Sequence, residues 1–256
     1  LAAASFLRGQ SRRTGSHCGC TRRLARRGPA NPEAWLRYQL NKAGIAVAFV
    51  SPRGSNIRST DTLRDYPTAI AWLRTEAANL NIDPDRIAIY AHGIDAHFAM
   101  LLGTDPQLLE TAAVPFSSIR AVLSFRGIGF DLPARMADSR YLAGRYRQIF
   151  GNNADDIAAL SPITHLELPN SPGFMLLASP EDRESMRDTQ TMLAALQTAA
   201  VPVQYSELPE PRIAARRTLY MVETDGSGKD VIPFLRAQFA PRTDPGTAHE
   251  SLKPPE

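Results

Sequence analysis

The chain has 256 residues, 43% of them apolar, and a formal net charge of +3, which suits one α/β domain with a sizeable core. No apolar run reaches about 18 residues, so no membrane-crossing helix is expected. Cys18 and Cys20 are the only cysteines and stand too close for disulfide geometry, while His17-Cys18-Gly19-Cys20 has no second ligand pair elsewhere; neither a disulfide framework, a metal nor a cofactor is expected.

The charge is unevenly placed. Residues 1–32 carry Arg8, Arg12, Arg13, Arg22, Arg23, Arg26 and Arg27 and no acid. Such a run reads as a solvated, disordered arm rather than a nucleic-acid surface, and no nucleic-acid partner is expected. Its Arg-rich, Ser-containing character is like an organelle transit segment in composition only, and it lacks the apolar stretch of a signal peptide; a cytoplasmic location is favoured. The same composition arises when a GC-rich frame is translated out of register, so a frame-damaged N-terminus stands as an alternative.

From about residue 33 helix and strand signals alternate. Glu33 to Lys42 reads as a helix stopped by Gly44, and Ile45 to Val50 as a buried parallel strand ending at Ser51-Pro52. A helix from Asp65 to Leu80 places Ile70, Leu73, Ala77 and Leu80 on one face, with Pro67 near its start. Strands follow at 86–91, 119–125, 174–178 and 201–208. Between them lie helices at Asp95 to Leu102 and Arg187 to Thr198, and a looser helical insert from Ala134 to Phe150. Val231 to Phe239 closes the pattern as a helix, and the Pro-rich tail from Pro241 is expected to be disordered. The division is an arm over 1–32, a domain over 33–240 and a tail over 241–256. Its fold class is α/β, a doubly wound, mostly parallel sheet with right-handed crossovers, from which N-terminal strands are missing in the readable pattern.

Asp83-Pro84-Asp85-Arg86-Ile87-Ala88-Ile89-Tyr90-Ala91-His92-Gly93 resembles the approach to the nucleophile elbow of carboxylesterase and feruloyl-esterase-like α/β-hydrolases. In that family a helix, an I-D-P-x-R-I turn and a strand lead into G-H-S-x-G. Arg53 after the strand at Val50, and Ser161-Pro162-Ile163-Thr164-His165, match further family stretches in order. The resemblance covers about residues 33–240 and implies an α/β-hydrolase fold of esterase descent.

It also implies where the chemistry would sit. The elbow exposes a serine on a sharp strand-to-helix turn, and Gly93 occupies that position with no atom to attack a carbonyl. Ile94, the next residue, takes the position whose backbone N–H serves the oxyanion hole. Asp95 stands where the family has a small residue, and its carboxylate opposes a developing oxyanion; otherwise it reads as an acid favoured at a helix start. Asp182 aligns with the triad acid. Ile213 falls at the histidine position, and the only histidine beyond Asp182 is His249, in the tail. His97 and His165 read as helix-surface or structural residues. His17-Cys18-Gly19-Cys20 lies near the place of the family's H-G-G loop, but the preceding residues are unsuited to a buried strand.

The expectation is therefore an esterase-like protein without the serine chemistry, with a small acyl or ester-like ligand, or a protein partner, in the old pocket. Two alternatives stand beside it. One is an active carboxylic-ester hydrolase with a relocated nucleophile, Ser179 or Asp95; the other is a fragment or frame-damaged form of an ordinary esterase.

Overall fold

A computed structural model of the chain describes residues 2–6, 38–50, 59–167, 169–170, 172–208 and 228–241. Six strands are described: Ala2–Phe6 (β1), Ala46–Val50 (β2), Ile87–His92 (β3), Ile119–Phe125 (β4), Phe174–Ala178 (β5) and Val203–Glu207 (β6). They form one sheet in the order β2-β1-β3-β4-β5-β6, with every neighbouring pair parallel. The helices are 38–42 (α1), Ser59–Thr75 (α2), Ala77–Leu80 (α3), Ile94–Thr104 (α4), Gln107–Glu110 (α5), Leu132–Asp138 (α6), Arg140–Phe150 (α7), Ala154–Ala159 (α8), Arg183–Thr198 (α9) and Gly228–Phe239 (α10).

Parallel strands covered on both faces should be apolar at every position rather than at alternate ones. β3 fits: its first five residues are buried, and period-two alternation sends them to two cores. Ile87, Ile89 and Ala91 pack with Tyr66 and Ile70 of α2, Phe98 of α4 and Leu196 of α9. Ala88 and Tyr90 pack on the other face with Leu40 of α1 and Phe234, Leu235 and Phe239 of α10. The helix after β3 is the most enclosed of the set, with every residue from Asp95 to Thr104 buried, so it carries no amphipathic stripe. Its approach to the sheet depends on Gly103, where a Cβ would stand 2.5 Å from Val122 Cγ2.

Three features differ from the sequence reading. The arm expected over 1–32 begins with a strand: Ala2–Phe6 lies between β2 and β3, in register with Ala46–Val50 and Ile87–Ala91. An Ala-rich stretch has little strand propensity of its own, and its place is set by its two neighbours. Residues 7–37, including Cys18 and Cys20, and the tail over 242–256 lie outside the described residues. Pro67 sits inside α2, not near its start, because the helix begins at Ser59; the proline ring leaves the Leu63 carbonyl without its helical donor. The insert of 134–150 resolves into two helices broken at Ser139, whose hydroxyl caps α7 by accepting from Leu142 N.

Candidate functional site

In an open parallel sheet, ligands bind outside the carboxyl ends of the strands, where the strand order reverses. Here the chain moves from β1 outward to β2 and then returns to the far side of β1 as β3. The reversal therefore lies between β1 and β3. β3 ends at His92 and α4 begins at Ile94, so one residue, Gly93, makes the turn at that point.

Gly93 has φ 58° and ψ −124°, a conformation that side-chain-bearing residues adopt only under strain. A Cβ built on it would meet nothing within 4 Å. Its N–H donates to the Phe125 carbonyl at 3.0 Å and its carbonyl accepts from Ala96 N and Ile128 N. The turn is thus tied on one side to its own helix and on the other to the loop leaving β4. Ile94 opens the helix with its backbone N–H in the first turn, where helix amides have no partner within the helix.

Asp95 stands in the first turn of α4, as its place at a helix start implies, and is turned inward. It is 7% exposed, and the Tyr66 hydroxyl donates to its Oδ1 at 3.0 Å; α2, packed alongside, turns this carboxylate into an internal tie. His92, just before the turn, has its ring Nε2 buried. Burial is the main cause that pushes His92 down to about 4, aided by Arg126 and opposed by Asp182. Asp182 therefore stands within electrostatic reach of the residue next to Gly93. It follows β5 at the carboxyl edge and caps α9, its Oδ1 accepting from Ser185 N at 3.2 Å. Ser179, between β5 and Asp182, is fully buried. Ile213 lies outside the described residues.

The loop from β4 to α6 holds a network that the sequence reading missed. Arg126, a non-glycine residue at φ 45°, starts it, its N–H donating to Leu177 O at 2.7 Å. At Gly129 the N–H donates to Asp188 Oδ2 at 2.9 Å, and the carbonyl faces His97 Nδ1 at 2.8 Å. Asp188, on α9, pairs with Arg135 of α6 at 2.9 Å, and Arg135 also reaches Asp138 and Glu184. Burial first, then Glu184, pushes Asp188 up to about 6 against the pull of Gly129 N–H and Arg135. Burial also opposes the charge on Arg135, but there Asp188 and Asp138 prevail and hold it more firmly. The partners differ because Asp188 is the deeper of the two and meets a second carboxylate.

His97 is structural rather than helix-surface. It is fully buried against Phe98 and Phe150, and burial pushes it down to about 4 over the opposing Gly129 and Leu160 carbonyls. His165 bonds the Ala159 carbonyl through Nε2 at 2.6 Å. Ser161 is buried, accepting from Leu132 N and donating to the Ile157 carbonyl. The one signal for the missed network was a run of charges, Arg135, Asp138, Glu184, Arg187 and Asp188, split between two segments.

Comparison with known proteins agrees with this geometry. The family model BD-FAE matches residues 34–195, well over half of the chain. Esterase LipQ of Mycobacterium tuberculosis is 28% identical over 156 residues, which are 57% of this chain and 36% of LipQ; the chain spans about a third of that relative's length. Esterase B of Lactobacillus rhamnosis superposes with a TM-score of 0.67 at 17% identity, over 93% of this chain and 75% of that one. A thermophilic esterase of Thermogutta terrifontis, Est2 with propionate bound, gives 0.64 at 17% identity over 94% and 85%. At such identities these structures speak for the fold. Together, the parallel sheet, the turn at Gly93 and the match over 34–195 establish that this chain belongs to the BD-FAE family of esterase-like α/β-hydrolases.

Proposed function

We propose that this protein binds a small acyl or ester-like ligand at the elbow and does not hydrolyse it through a serine triad. One observation carries the reading. Gly93 makes the strand-to-helix turn at the position where the resemblance puts a nucleophile, at φ 58° and ψ −124° over open space, and has no side-chain atom to form an acyl-enzyme.

The wider pattern supports it. No histidine lies between Asp182 and His249, so the base that would activate a hydroxyl has no counterpart at Ile213. Both candidates for a relocated nucleophile, Ser179 and Asp95, are buried, and Asp95 is engaged by Tyr66. In a serine protease, loss of the nucleophile or the base alone costs about 10⁶ in turnover. The Thermogutta esterase is described with propionate and with butyrate bound, which makes short acyl chains the ligand class to test.

The purified protein should be incubated with a fluorophosphonate probe and with short p-nitrophenyl esters, and its melting followed with propionate and butyrate. The expected result is no covalent label, turnover no higher than a denatured control, and a rise in Tm with acyl ligand. Specific labelling of one residue would show that hydrolysis has been relocated, and a Tm indifferent to every acyl ligand would remove the binding half of the reading.

A further inference from the structure

The outward surface of α7 is basic and carries no acid. Its eleven residues, Arg140-Tyr141-Leu142-Ala143-Gly144-Arg145-Tyr146-Arg147-Gln148-Ile149-Phe150, include three arginines and no acid. At about 100° per residue, Arg147, Arg140, Gly144, Gln148, Tyr141 and Arg145 fall within roughly 160° of arc. Ala143, Tyr146 and Phe150 point the opposite way and are the buried residues of the helix. The apolar face is therefore already used against the core, and the basic face is left outward.

Among the described residues, none of the three arginines has a carboxylate within ion-pair distance. Arg135 and Arg187 nearby are both paired with Asp138, so this protein does supply acids to arginines where it fixes them. On the same arc Tyr141 is 73% exposed, the most exposed large apolar side chain described, with the Arg145 guanidinium over its ring at 5.8 Å.

We propose that this face of α7 docks the protein on an anionic phospholipid surface, with Arg140, Arg145 and Arg147 at the headgroup phosphates and Tyr141 at the headgroup level. The shape favours a lipid layer over a folded partner. The face is a convex ridge about 10 Å long between Arg140 and Arg147, bearing long side chains with no carboxylate partner among the described residues and one amphipathic ring, whereas the groove lined by Met175, Tyr205 and Phe234 lies by β6 and α10. A fluid headgroup layer adapts to such a ridge, and tyrosine is at home at that depth. A protein partner of comparable affinity would need a complementary surface with a buried centre.

The proposal is independent of what the elbow binds, and its test does not use activity. The full chain should be floated with phosphatidylcholine vesicles, with and without phosphatidylserine, at low and at physiological salt. Each basic residue near an anionic surface contributes about fivefold in partitioning, so three give on the order of 100-fold, reduced by salt. Replacing all three (R140Q, R145Q, R147Q) should remove that preference while the circular dichroism is unchanged, and Y141A should weaken binding on its own. Equal partitioning to both vesicle types overturns the proposal. So does phosphatidylserine binding that survives the triple variant, which would assign it to arginines elsewhere, such as those of residues 1–32. Retention of the wild type on heparin without vesicle binding would instead identify an acidic polymer as the partner.

Discussion

At Gly93 a single side chain separates two opposite demands. The turn requires a positive φ, which costs any L-residue about 1–3 kcal/mol, and an esterase accepts that cost because the serine does chemistry there. Glycine meets the same geometry without strain. Gly93→Ser should therefore fold, since the space around the new Cβ is open, but with a lower Tm and no gain in p-nitrophenyl ester turnover. A restored turnover comparable to an active esterase would mean that a base already faces the site. Asp95 is the second residue whose role follows from its neighbours: Tyr66→Phe removes the 3.0 Å bond to its carboxylate and should lower unfolding stability by about 1–3 kcal/mol. The turn at Gly93 was legible in the sequence because backbone demands are local. The burial of Asp95 was not, because it depends on α2 from thirty residues away coming to rest beside α4.

At the scale of elements, the insert after β4 is held by charge as well as by the apolar residues Leu132, Tyr146 and Phe150. Arg135 ties α6 to α9 through Asp188, and Asp188 in turn holds the Gly129 turn whose neighbour Ile128 bonds Gly93. Arg135→Met leaves a carboxylate buried without its cation and should cost about 3 kcal/mol in urea unfolding. Adding Asp188→Asn keeps an acceptor for the Gly129 N–H while removing the charge, and should recover stability to within about 1 kcal/mol of the wild type. A double variant no better than the single would show that packing, not charge, holds the insert. Four strands of the parallel sheet, from Ile87 through Ala178 and at Ala46–Val50, were legible as apolar runs, and Val203–Glu207 falls within the run read at 201–208. Ala2–Phe6 was not, since alanine and serine carry no strand signal and only pairing on both sides selects that conformation. The Arg135–Asp188 tie joins residues fifty-three apart that no local pattern connects.

Across the whole molecule, the buried titratable groups decide how it responds to acid. His97 is fully buried and lowered from 6.5 to about 4, so between those values the unfolded chain binds the proton and the folded chain does not. The stability it confers is complete above pH 6.5 and is lost as the pH falls to 4, on the order of 3 kcal/mol in all. His92 is lowered to about 4 as well and acts in the same direction. Asp188 works against them. Raised from 3.8 to about 6, it takes up its proton in the folded state first, and so adds stability as the pH falls from 6 to 3.8. Asp83 and Asp138 are lowered carboxylates whose losses come only below about 3.8, outside this window. Two histidines against one aspartate should leave a net fall in stability between pH 6.5 and 4, beginning before Asp188 can offset it. Urea unfolding at half-unit steps of pH should show that fall. His97→Asn should flatten it and Asp188→Asn should steepen it. A His97→Asn protein with the wild-type slope would mean that the imidazole is not kept neutral by its burial, and that the Gly129 carbonyl holds a charged ring instead.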